Sequence, residues 1–316
     1  MRTWSADGAR GRQVHDVGGS LLKTVVDAGV PVLVFFAMVV VGMELTTDDF
    51  RRVARQPWTV LAATVGQFVL LPFIGWLLVR CLDLQPAIAH GVLLVAACPS
   101  GAMANVYVYL ARANVALSVT LTAVSCLVAV LTTPLALALL QAQDGESTGF
   151  PVPFGLLAVH LFLLLVLPVL GGMGIRHRWP DLTKRHGRIL LGFSVAALAA
   201  LLGFVVVQEA EQFASALTAL AAAAGVLTAL AFGAGWATGW ASGAGATDRF
   251  TVGMVFVVRN VGIATAIAVT ALGRVEFAVF ATAYFLTQVP ILLTAALVSR
   301  AATASRESTP SEVQTS

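Results

Sequence analysis

The sequence predicts an all-α integral membrane protein of about nine transmembrane helices, arranged as an inverted-repeat transporter with two broken crossing helices. Composition is the first observation behind this. Of 316 residues, 58% are hydrophobic and only 11% charged, and the mean hydropathy is +0.88. A soluble domain carries about a quarter charged residues. The second observation is the recurrence of long apolar stretches along the chain, each sized to cross a bilayer. The third is that two of those stretches are interrupted, at corresponding places in the two halves.

In order, the expected spans are 25–44, 58–81, 86–111, 115–141, 153–175, 189–208, 213–240, 250–272 and 275–299. At 1.5 Å per residue each is long enough for a hydrocarbon core of ~30 Å. None shows the strict alternation of an outer-membrane strand, so helices are the spanning elements. Residues 1–24 form a polar N-terminal tail, and 300–316 form a Ser/Thr/Glu-rich tail expected to be disordered. Between them lies one transmembrane domain, with repeat one at 25–141 and repeat two at 153–299. The N-terminus is too polar and too long before its first apolar run to read as a signal peptide. Trp236 and Trp240 read as an interfacial anchor.

Loop charge gives the orientation. With nine spans, the side holding the N-terminus carries six Lys or Arg, and the opposite side carries twelve, including Arg51, Arg52, Arg176, Arg178, Lys184, Arg185 and Arg188. The richer side should be cytoplasmic, which places the N-terminus outside, the C-terminus inside, and the chain in the cell inner membrane. The basic N-terminal tail pulls the other way. The pI near 9.0 is thereby a matter of topology and does not imply nucleic-acid binding. Cys81, Cys98 and Cys126 sit in apolar segments without metal-ligand spacing and read as packing residues. No nucleophile–base pair, phosphate loop or metal cluster stands out, so an enzyme is not expected.

The interruptions carry the functional signal. One lies in CPSGAMANVYVYLARA, where Pro99, Ser100 and Gly101 break a helix just before Asn105. The other lies in VGMVFVVRNVGIATAIAV, where Arg259 and Asn260 meet Gly262 in an otherwise apolar run. Proline removes a backbone donor and clashes with the preceding turn, and glycine permits strained dihedrals. Within lipid, such breaks survive only against protein or a wet cavity. Paired breaks in two halves point to a secondary transporter with a midplane site.

The run CPSGAMANVYVYLARANVALSVTLTAVSCLVAVLTTPL resembles the hallmark segment of the bile acid:sodium symporter family. VGMELTTDDF, VGQFVLLP and the second broken run resemble its other motifs, and the likeness covers about 39–298. It implies two inverted repeats, a panel and a core domain that move for alternating access, and a nine-helix form lacking the usual first helix. It also implies two sodium sites where the broken helices cross. Carried over by alignment, the ion-site positions are Gln67, Asn105, Ser118, Thr122, Val255 and Arg259, and the substrate positions are Asn260, Arg259 and Asn105.

Several of these positions depart from the pattern. Ala104 stands where the family has serine, Val255 where it has its carboxylate, and Arg259 where it has glutamine. The local charge moves from −1 to +1. Two unit charges 4 Å apart interact by about 4 kcal/mol at an effective dielectric of 20. Repulsion of that size opposes a weakly held Na⁺. The expected function is therefore a carrier of small organic anions with altered or absent sodium coupling, Arg259 acting as a tethered cation. No cofactor is implied, and Na⁺ is the ion the resemblance brings and the substitutions argue against. Membrane lipid and a small organic anion are the expected partners. A sodium-coupled symporter with intact coupling, and a sensor or scaffold without transport, are the alternatives. His90 and His160 read as packing residues, with proton coupling as their other use.

Overall fold

The computed structural model describes residues 29–43, 56–82, 84–143 and 154–307. The tail 1–24, Asp27 and Glu44 fall outside them. All regular structure among the described residues is helical: α1 (Gly29–Met43), α2 (Pro57–Leu82), α3 (Pro86–Ala97), α4 (Met103–Leu110), α5 (Val115–Gln143), α6 (Phe154–Arg178), α7 (Pro180–Gln208), α8 (Ala210–Ser215), α9 (Leu217–Ala241), α10 (Ala246–Val257), α11 (Val261–Ala271) and α12 (Ala278–Glu307). Five helices are long and apolar enough to cross a membrane, and shorter apolar helices complete the set. This is a multi-pass membrane protein.

Each interrupted stretch is a helix pair. α3 and α4 divide the third expected span, and α10 and α11 divide the eighth. Both first members are 12 residues long. α2, α3/α4 and α5 thus recur as α9, α10/α11 and α12: a long helix, a broken one, a long one. α9 packs against α10, α2 and α12, and α2 packs against α3 and α5, so the two repeats share one core.

Boundaries shift in physically sensible ways. α7 begins at Pro180, nine residues before the expected 189, with proline at its first position where the missing N–H is not needed. Its first nine residues, 180–188, are polar, and its apolar run begins at Ile189. α12 runs on to Glu307, so the first residues of the expected disordered tail continue a helix. α4 ends in a Schellman turn: Ala113 N–H reaches Val108 O, and Arg112 takes the left-handed position at φ 54°.

Beside the core, α1 and α6 approach backbone to backbone. A Cβ on Gly42 would overlap the Val169 carbonyl, and one on Gly172 would overlap that of Val39. Small residues let helices in lipid meet this closely, where packing replaces the hydrophobic drive. Arg176 Nη1 then donates to Met43 O at 2.7 Å, placing a cation on the last turn of α1.

Gly172→Leu should therefore lower the unfolding temperature in detergent, by an overpacking cost of about 1–3 kcal/mol. Gly174→Leu, on the same helix with nothing within 4 Å of its would-be Cβ, should leave it unchanged. Equal shifts for the two variants would refute the close approach.

Candidate functional site

The site begins with the backbone. α3 stops at Ala97 because Pro99 cannot continue it, and Cys98 takes the extended conformation (ψ 157°) that a residue before proline prefers. α10 stops at Val257, with Val258 also extended. The two loose segments then pair with each other. Ser100 and Arg259 form an antiparallel bridge, Gly101 N–H donates to Val258 O at 2.8 Å, and Asn260 N–H donates to Pro99 O at 2.8 Å. Gly101 is required here: a Cβ would lie 2.9 Å from the Arg259 carbonyl.

Side chains finish what the bridge leaves open. Thr133 Oγ1 donates to Ala97 O at 2.8 Å, and Tyr284 Oη donates to Val257 O at 2.7 Å, so the last carbonyl of each first half-helix is satisfied. Asn260 caps α11 by accepting from Ile263 N–H at 3.1 Å, and its Nδ2 faces Met38 Sδ on α1. Gly262 is not a break: it lies in the first turn of α11, where a Cβ would meet only ordinary contacts. The chain breaks just before it, at Val258–Asn260.

The expected ion-site residues divide into two groups around the crossing. In the first, Ser118 Oγ donates to Asn105 Oδ1 at 2.7 Å, and Thr122 Oγ1 lies 3.5 Å from Ser100 Oγ. Ser125 Oγ accepts from Ser100 N–H and donates to Thr122 O. In the second, Arg259, 3% exposed, directs Nη1 to Oε1 of fully buried Gln67 at 3.4 Å. Its Nε and Nη2, and Gln67 Nε2, have no hydrogen-bond partner. Among the described residues, no acidic side chain pairs with this guanidinium. Val255 and Ala104 are buried in one apolar cluster, so hydrocarbon fills the two altered positions.

Sequence reasoning placed Ser100 at the helix break but not its contacts with Thr122 and Ser125, and it missed Ser125 and Tyr284 as parts of the site. Tyr284 left a signal, being one of three tyrosines in the chain and set in an apolar span where its hydroxyl needs a partner. His90 stacks on Phe277, and His160 Nδ1 faces Leu156 O; neither lies at the crossing. Cys98 and Cys126 are buried in the core, and Cys81 is exposed.

A cavity of about 120 Å³ opens beside the crossing. One wall is apolar, from Leu33, Met38, Leu198 and Leu201 on α1 and α7. The opposite wall is the crossing itself, with Gly101–Met103 and Arg259–Gly262, and α12 adds Phe285 and Gln288. The N-terminal ends of α4 and α11 both reach this cavity. Helix N-termini carry about +0.5 charge, and no carboxylate among the described residues lines the space.

The sequence matches the model of the Sodium Bile acid symporter family over residues 31–216. Among curated proteins, it is 37% identical over 150 residues to a probable sodium/metabolite cotransporter, BASS2, of Oryza sativa subsp. japonica, covering 48% of this chain and 35% of that one. It is 32% identical over 177 residues to the uncharacterized sodium-dependent transporter YocS of Bacillus subtilis, covering 55% and 54%. It is 28% identical over 193 residues to the human ileal sodium/bile acid cotransporter, covering 60% and 55%. The matched stretches thus span from about a third to about half of these relatives.

Replacing Tyr284 with Phe should strand the Val257 carbonyl in a buried site. The expected cost is about 1–3 kcal/mol, read as a lower unfolding temperature in detergent. An unchanged unfolding temperature would mean the hydroxyl does not hold the end of α10.

Proposed function

Because the chain belongs to the sodium bile acid symporter family, we propose that it is a secondary carrier of small organic anions that works without normal sodium coupling. One observation carries this reading. A permanent cation, Arg259, is buried at the crossing beside Gln67, and the position of the expected carboxylate is the buried aliphatic Val255. The guanidinium supplies the positive charge that a bound cation would otherwise bring. Its three nitrogens are enclosed in the core, so it acts on the cavity through its field. The ends of α4 and α11 supply direct N–H donors for an anionic group.

The cavity's shape suits a small substrate with one anionic group and an apolar body. Alternating access would move the α1/α6/α7 side against the crossing, exposing the cavity to each face of the inner membrane in turn. The loop charges favour an outside N-terminus. A second reading, sodium symport with intact coupling, draws on the oxygen cluster of Asn105, Ser118, Thr122 and Ser100. In the first reading those oxygens bond one another and hold α4 to α5.

Uptake of a panel of small carboxylates into proteoliposomes, with Na⁺ replaced by K⁺, separates the two. The expected result is uptake that changes less than about twofold on replacement. The double change Val255→Glu with Arg259→Gln should then reduce uptake in K⁺ and restore it in Na⁺. A strong sodium requirement in the unaltered protein would sink the tethered-cation reading and favour intact symport.

A further inference from the structure

Charge is concentrated at the elbow between α6 and α7. Residues 176–188 read RHRWPDLTKRHGR, with Arg176, Arg178, Lys184, Arg185 and Arg188 against the single acid Asp181. The formal charge of these few residues exceeds the +3 of the entire chain. Arg176 is engaged with Met43 O, and Arg178, Lys184, Arg185 and Arg188 make up the rest of the cluster.

The geometry sets this charge at the edge of the membrane. α6 ends at Arg178, α7 starts at Pro180, and Trp179 between them has a non-helical backbone. The apolar run of α7 begins at Ile189, so about 13 Å of polar helix, residues 180–188, precedes it at 1.5 Å per residue. Trp179 is 56% exposed, and the Arg178 guanidinium lies 6.0 Å from its ring centroid. Ile189 and Phe193, further along α7, are also exposed. An indole with cations on one side and apolar residues on the other is the composition of a membrane–water boundary. Four-residue spacing sets Lys184 and Arg188 on one face of α7, with Arg185 three residues from Arg188 beside them.

We propose that this elbow binds the phosphodiester headgroups of anionic phospholipids in the adjoining leaflet. Clusters of four to eight Lys or Arg directly beside a transmembrane helix attract such lipids. The general excess of positive loop charge on one side accounts for the sign of the cluster. It does not account for an exposed indole, or for a helix extended about two and a half turns beyond its apolar part. α6 is locked to α1 at Gly42 and Gly172, so bound headgroups would brace the helices that form the apolar wall of the cavity. The inference does not depend on sodium independence, and lipid binding can be read without transport.

The test uses the purified full chain. Retention of phosphatidylglycerol against phosphatidylcholine is measured by native mass spectrometry, and the thermal shift each lipid confers is measured in detergent. The unaltered protein should prefer phosphatidylglycerol by roughly tenfold or more, and lose most of that preference in high salt. R178Q/K184Q/R185Q/R188Q should bring the two lipids near parity, while R51Q/R52Q/R55Q should retain the preference. If the fourfold variant fails to fold, R178Q/R185Q should give an intermediate loss. Equal retention of the two lipids, a preference indifferent to salt, or the same loss in both multiple variants would overturn the proposal.

Discussion

The bridge between Ser100 and Arg259 is the contact on which the rest of this structure depends. A helix that stops inside a bilayer leaves N–H and C=O groups without partners, each costing several kcal/mol in hydrocarbon. Here two helices stop at the same depth, and each supplies what the other lacks. Pro99 O takes the Asn260 N–H, and Val258 O takes the Gly101 N–H. An antiparallel bridge requires two segments running in opposite directions, which an inverted repeat provides. The break in one half is therefore affordable only because the other half breaks too.

The bridge also explains how an arginine can reside at mid-depth. A charge at the bilayer centre costs at least ~2.5–3.5 kcal/mol on insertion scales. α3 and α10 both end at the crossing, and helix C-termini carry about half a negative charge each. Their last carbonyls are taken by Thr133 and Tyr284, yet the dipoles of the preceding turns still converge on Arg259. Gln67 adds a neutral acceptor. The guanidinium thus sits in a field that favours positive charge although no carboxylate among the described residues lies beside it. The same ends would also favour a bound metal cation.

Much of this was legible in the sequence, because lipid imposes long apolar runs and leaves few alternatives. The nine expected stretches correspond to the helices found, including the two broken ones. Pro99 marked the first break directly. The second was placed near Gly262 because glycine signals freedom, but its position is set by pairing with Pro99 and Gly101, which no local spacing reveals. The start of α7 was hidden for a different reason. Hydropathy registers only the part of a helix within hydrocarbon, and residues 180–188 are polar enough to resemble a loop. The contacts of Ser100, and the roles of Ser125 and Tyr284, were overlooked because the partners are backbone atoms and hydroxyls brought near by the crossing, between 22 and 27 residues away along the chain.

The crossing separates two kinds of constraint. Backbone satisfaction fixes Pro99, Gly101 and the lengths of the half-helices, and any carrier built this way must meet it. The side chains facing inward are under a looser rule: their summed charge must suit both the helix ends and whatever the cavity admits. Val255 and Ala104 show how far that rule bends, since apolar groups fill positions where oxygens were expected and the packing around them remains closed. Asn260 belongs to both categories at once. Its carbonyl oxygen caps α11, and its amide nitrogen reaches across to Met38 on α1. A change in the distance between α1 and the crossing is thereby felt at the cap of the helix whose N-terminus lines the cavity, which ties movement of the apolar wall to the electrostatics of the site.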